Sequence, residues 1–165
     1  MKDDLRYAPS DGFQTFPFPP GWEGGAELVA AGEAYNTHRA ALMIKSGKGL
    51  TKTYNRFHDS ADRAPDIERL RVLHAKMDAA VLRAYGWHDL AETAVARFLT
   101  EQDEDDHTYQ GRLFWPSDIR DEVLTRLLAL NAERHREEAE GGIVPVPANG
   151  EADDEGEIDG EDDEA

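Results

Sequence analysis

The feature that most constrains this chain is an apolar stripe at helical spacing. Ile67, Leu70, Leu73, Met77, Val81 and Ala84 recur every three or four positions, the period that places side chains on one face of an α-helix. Pro65 ahead of the stripe suits a first helical turn, and Asp66 and Glu68 favour the positive end of a helix. Gly86 stops it. The spacing predicts a helix over about 65–85.

Three further segments read the same way. Residues 26–46 place Leu28, Ala31, Tyr35, Leu42 and Met43 on one face, with Gly47 as C-cap. A weaker helix is expected over about 89–101, using Leu90, Ala94, Val95, Phe98 and Leu99. The last starts at Ser117, read as an N-cap, with Asp118, Asp121 and Glu122 in its first turn. Its stripe is Ile119, Val123, Leu124, Leu127, Leu128 and Leu130. It fades into Glu137–Glu140 and stops at Gly141-Gly142. No convincing strand and no internal repeat are visible. The fold class is therefore all-α: a small domain of antiparallel helices over residues 26–141.

The ends differ in character. Residues 1–25 read as irregular, with a turn at Pro9-Ser10-Asp11-Gly12. Phe13, Phe16, Phe18 and Trp22, interleaved with Pro17, Pro19 and Pro20, make an extended aromatic-proline arm, because proline forbids a helix there. The arm is expected to pack onto the chain's own helices. Residues 142–165 read as a disordered acidic tail. Within it, residues 151–165 hold ten acids, no base and one apolar side chain larger than alanine, Ile158, too little to offset chain entropy.

The charge balance follows from that tail. The whole chain has 35 Asp and Glu against 18 Lys and Arg, a net charge of −17. Without residues 151–165, 25 acids and 18 bases leave −7. The low pI therefore says little about the folded part. With no cysteine, disulfide and thiolate chemistry are excluded. No signal peptide and no apolar run near 18 residues is visible, so a cytoplasmic protein with no membrane partner is expected.

Against this acidic background, residues 34–58 contain no acid at all. The window carries Arg39, Lys45, Lys48, Lys52 and Arg56, with Thr51, Tyr54, Asn55 and His58 among them. Lysine and arginine neutralise phosphates, while Asn, Thr and Tyr donate to phosphate oxygens or read base edges. These nine residues are the candidate DNA-binding set. Three to five phosphate contacts would give a slope of log K against log[salt] of roughly −3 to −4. The plainer readings are a solvated helix face plus loop, a docking surface for an acidic partner, or a patch masked by the acidic tail folding back.

Other patterns carry less. Gly47-Lys48-Gly49-Leu50-Thr51-Lys52 is not a nucleotide-binding loop, because position 43 is Met and a helix, not a strand, precedes it. Pro65-Asp66 lacks the [DE]-x-K of a nuclease before residue 110, and no G-x-S-x-G is present. Asp103-Glu104-Asp105-Asp106-His107 reads as a solvated acidic loop rather than a metal site. His58-Asp59 and His74 show no catalytic partner, and His74 is expected at the edge of the core.

Four blocks together resemble a known family. They are Lys2–Asp11 with Phe13–Pro19, Gly49–Asp59, Met77–Trp87 with its closing Tyr-Gly-Trp, and Trp115-Pro116 with Arg120–Glu133. In this order they resemble the C-terminal part of large bacterial N6-adenine DNA methyltransferases of restriction-modification and phage-defence systems. The resemblance covers about residues 2–138. It implies the end of a target-recognition region in residues 1–25, and S-adenosylmethionine as cofactor of the full-length family. It also implies DNA and a methyltransferase catalytic polypeptide as partners. The family's Asn-Pro-Pro-Tyr loop is absent: the one Pro-Pro, Pro19-Pro20, lies between Phe18 and Gly21. So is a strand followed by a glycine-rich loop. The expectation is therefore a C-terminal module without catalytic residues or cofactor of its own, its catalytic domain lying before Met1. The alternative is a free-standing acidic adaptor that binds a protein partner.

Overall fold

The computed structural model describes residues 16–141. The acidic tail, the turn at Pro9–Gly12, Phe13 and the first resemblance block up to Thr15 lie outside them. Five α-helices run in chain order as α1 (Ala26–Ser46), α2 (Leu50–Phe57), α3 (Pro65–Ala84), α4 (His88–Thr93) and α5 (Ser117–Glu140). A two-stranded antiparallel ribbon, β1 (Arg97–Phe98) and β2 (Leu113–Phe114), separates α4 from α5 and pairs Arg97 with Phe114. The domain is all-α apart from this ribbon.

Helix α3 is the hub. It buries Ile67, Leu70, Leu73, Ala80 and Leu82, and full burial of each large aliphatic side chain stabilises the fold by about 1.5–3 kcal/mol. Helix α1 runs antiparallel to it: Arg83 pairs with Glu27 at one end (2.6 Å), while the His38 ring hydrogen-bonds the Asp66 carbonyl at the other (2.8 Å). Tyr35, Leu42 and Phe57 complete the core cluster with Ile67, Leu70 and Leu73. Helix α1 ends as its sequence requires. Gly47 adopts φ 61°, a left-handed conformation costly for any residue with a Cβ, and its N–H and that of Lys48 close back on Ile44 and Met43 carbonyls.

Three expectations need correcting. Residues 50–57, taken as loop, form α2, because Tyr54 and Phe57 on one side give a short helix an apolar face and Thr53 is buried with them. The expected helix over 89–101 ends at Thr93. From there Arg97 and Phe98 enter the ribbon, held by the long-range pairing with Leu113 and Phe114. Ser117 is the first helical residue rather than the cap. Pro116 is the cap, its carbonyl accepting the first helical bond from Arg120 (3.1 Å).

The aromatic arm packs on the chain's own helices as expected. Pro17 and Pro19 are buried, and Phe18 stacks on Trp22 at 5.1 Å. With Phe16 they face Leu28, Tyr85 and Leu127 across an apolar cavity of about 350 Å³. Arg134 of α5 donates to the Phe18 carbonyl. Phe16 and Trp22 keep roughly two-fifths of their surface in solvent. No described helix is long and apolar enough to cross a membrane.

Candidate functional site

The candidate DNA-binding residues separate into two groups. Lys45 closes the last turn of α1, Lys48 sits in the α1–α2 corner, and Thr51, Lys52 and Asn55 lie on the outer side of α2; all five are exposed. None of the three lysines has an anionic partner among the described residues. Helix α2 adds to the positive potential. Its cap, Gly49, supplies no side chain, and its first turn has no acid to offset the helix dipole.

The other four candidates are engaged by the fold. Arg56 pairs with Asp62 (2.7 Å) and Asp66 (3.6 Å), and the Asp62 bond holds its guanidinium charged while drawing the Asp62 carboxyl below its usual range. Arg39 donates to Asn36 (2.7 Å) and lies over the Tyr35 ring. The hydroxyls of Tyr54 and Tyr35 share a hydrogen bond of 2.7 Å, and burial, reinforced by that bond, pushes the Tyr35 hydroxyl pKa up. His58 stacks on Phe114 at 4.9 Å. Desolvation, with help from Arg112 and His74, lowers its pKa to about 4. The ring is therefore neutral near pH 7 and offers no charge to a phosphate.

Arg71 explains how α2 is fixed. It is buried on α3, and its five N–H groups reach the carbonyls of Arg56, Phe57, Asp59 and Asp62 and the carboxylate of Glu68 at 2.7–3.1 Å. Two of these acceptors, the Arg56 and Phe57 carbonyls, close the last turn of α2. One planar cation thus ties the end of α2 and the following turn to the hub, and orients the outer face that carries Lys52. A clue was present in the sequence: Arg71 follows Ile67 by four positions and falls in register with the apolar stripe.

A second feature was missed. Beneath α2, between α3 and the ribbon, lies a cavity of about 670 Å³ lined by Phe57, His58, His74, Asp78, Phe98 and Phe114, among others. His74 Nδ1 is 3.0 Å from Asp78; the i, i+4 spacing on a helix was the available signal. A carboxylate-held imidazole can accept a proton. No serine, threonine or cysteine lines the cavity to act as its nucleophile, so no acyl-transfer arrangement results. The buried His58 Nδ1 has no hydrogen-bond partner.

The acidic loop is a structural loop. Asp103 accepts from Thr100 and Arg97, Glu104 pairs with Arg120, and Asp106 accepts from the Thr108 N–H. No group of three or more potential ligands among the described residues is arranged for a metal. The described residues also do not fit S-adenosylmethionine: β2 leads into α5 through Trp115-Pro116, with no glycine-rich turn. Compared with known proteins, the chain matches no family model, no curated protein and no solved structure.

Proposed function

We propose that this chain is a non-catalytic, DNA-contacting helical module that acts with a separate polypeptide carrying S-adenosylmethionine-dependent adenine N6-methylation, in a restriction-modification or phage-defence system. One observation supports DNA contact above the others: Lys45, Lys48 and Lys52 are exposed and unpaired at one corner, whereas seven arginines of the described residues are held in ion pairs. The methyltransferase context rests on the four sequence blocks.

In this reading the lysines neutralise successive phosphates, and Thr51 and Asn55 hydrogen-bond to the backbone beside them. Arg56, Tyr54 and His58 hold the α2 platform. Binding is backbone-directed and salt-dependent, because each neutralised phosphate releases condensed counterions. The test is fluorescence anisotropy of a labelled duplex titrated with protein across a salt series. Changing Lys45, Lys48 and Lys52 together to Ala is expected to weaken binding at least tenfold at low salt and to flatten the log–log slope by roughly 3. Unchanged affinity in that variant would remove DNA contact at this corner. Adding the catalytic polypeptide and S-adenosylmethionine tests the rest. Adenine methylation that appears only with both polypeptides supports the split enzyme.

A protein-binding adaptor is the second reading. The exposed Leu124 and Leu128 on α5 and the half-exposed rim of the arm, Phe16 and Trp22, favour it.

A further inference from the structure

The lysine corner has a polyanion of matching chemistry in its own chain. We propose that the acidic segment 151–165 docks in cis on Lys45, Lys48 and Lys52 and competes there with DNA; the competition rests on the DNA-contact reading, the docking does not.

Charge complementarity is the first argument. The segment concentrates ten acids in fifteen residues without a base. Among the described residues the cations whose side chains make neither an ion pair nor a hydrogen bond are Lys45, Lys48, Lys52, Arg69, Lys76 and Arg112, and Arg112 lies over the Phe114 ring. Three of these six fall within eight positions, beside a helix N-terminus with no acid in its first turn. Seven arginines elsewhere on the fold already pair with acids.

Reach is the second. Arg134 of α5 bonds the arm at Phe18, and the arm packs near Leu28 of α1 and Tyr85. Arg134 therefore lies towards the first turns of α1, while the lysine corner is at the last turn of α1. An α1 of 21 residues is about 30 Å long, and α5 runs on for about 9 Å from Arg134 to Glu140. The twenty steps from Gly141 to Glu161 span up to about 66 Å when extended. The acids in the second half of the segment thus reach the corner with slack. Tethering holds the segment at an effective concentration of order millimolar. Exposed pairs of this kind are individually weak, so DNA can displace the contact and salt screens it.

The chain has five lysines, Lys2, Lys45, Lys48, Lys52 and Lys76, which makes carbodiimide cross-linking a clean test. The full chain is treated at low salt, the monomer is isolated, and Lys–Asp/Glu links are mapped by peptide mass spectrometry. Links from residues 151–165 are expected to fall on Lys45, Lys48 and Lys52 about tenfold more often than on Lys76, and to vanish in about 0.5 M salt. Links spread evenly over Lys76 and the corner, confined to a covalent dimer, or absent would overturn the docking. A second measurement separates the two readings. In a full chain whose ten tail acids are changed to Asn and Gln, affinity for a duplex should rise about tenfold or more. Corner links without DNA binding by that variant would sink the DNA reading and leave the docking standing. DNA binding with evenly spread links would do the reverse.

Discussion

Helices α3 and α5 have similar lengths and similar stripes, yet the fold treats them differently. Helix α3 buries six residues along its length, Ile67, Leu70, Arg71, Leu73, Ala80 and Leu82. Helix α5 buries none; Ile119, Val123, Leu127 and Leu130 are half-covered, and Leu124 and Leu128 face solvent at 54% and 61% exposure. Period alone cannot separate them, because periodicity reports which side of a helix is apolar and not what covers it. The cover decides. Helix α3 meets α1, α2 and α4 around its circumference, whereas α5 is held mainly through its arginines, Arg120 to Glu104 of the acidic loop, Arg126 to Asp89 of α4 and Arg134 to the arm.

The sharpest break in this comparison is at the arginines. Arg71 on α3 is 8% exposed and satisfies four carbonyls and a carboxylate. Its change to Met takes away the side-chain donor of the Phe57 and Asp62 carbonyls, while Arg56 and Asp59 keep a backbone N–H and Glu68 keeps Arg63, and is expected to cost about 2–4 kcal/mol in urea denaturation. Lys does not rescue it, since a point charge cannot span acceptors arranged for a planar fork. Arg126 on α5 makes two ionic contacts, to Asp89 and Glu122 at 2.7 Å, against one for Arg71. They lie at the surface, so Arg126→Met is expected to move the urea midpoint far less than Arg71→Met. Similar losses at the two positions would erase the distinction between the helices.

The next effect is a pH dependence set by the hub side. His58 titrates at about 4 in the folded chain, below its ordinary 6.5, so the unfolded chain takes up the proton first. The stability held by its neutral form is full above about pH 6.5 and is lost as pH falls from 6.5 towards 4. About 1–2 kcal/mol is expected over that window at a half-buried site. His58→Phe keeps a ring against Phe114 and should flatten the melting temperature between pH 6.5 and 4.5. The sign is the same, at a lower pH, for the carboxylates that Arg56 and Arg126 hold low, Asp62 and Asp89. Their contribution is complete above about pH 4 and is lost below it, so it survives in the His58 variant. A slope that persists unchanged above pH 4.5 in that variant would place its origin elsewhere.

How much of this was legible depended on the range of the interactions that decide each element. Helices α1, α3 and α5 follow from local signals: the Gly47 and Gly86 stops, Pro65, and stripes of five or six apolar positions. The ribbon did not. Two residues are too few to show a period, and Arg97 and Phe98 are held in β1 by partners seventeen and fifteen residues away. Helix α2 lay hidden because five of its eight residues are polar or charged and its buried Thr53 reads as a loop residue. The candidate site was half legible. Composition found the acid-free window, and burial then separated Lys45, Lys48, Thr51, Lys52 and Asn55, which face out, from Arg39, Tyr54, Arg56 and His58, which the fold holds. Nothing in a linear pattern says which cation meets an acid across a turn, as Arg56 meets Asp62.

The smallest expected effect is on α5. Leu124 and Leu128 are one turn apart on its outer side, and neither loses much water contact on folding. Surface changes away from packed groups alter stability by about 0.5 kcal/mol or less. The double change Leu124→Ser, Leu128→Ser should therefore leave the urea midpoint almost where it is. On α3, by contrast, Leu70→Ala alone should remove about 2–5 kcal/mol from a site with no exposed surface. A loss above about 1.5 kcal/mol in the α5 double variant would mean that these leucines are covered in solution. If that loss grows with protein concentration, the cover is another copy of the chain, because only an intermolecular contact makes stability depend on concentration. If it does not, the outer side of α5 is packed within the chain, and the difference between the two helices is one of degree.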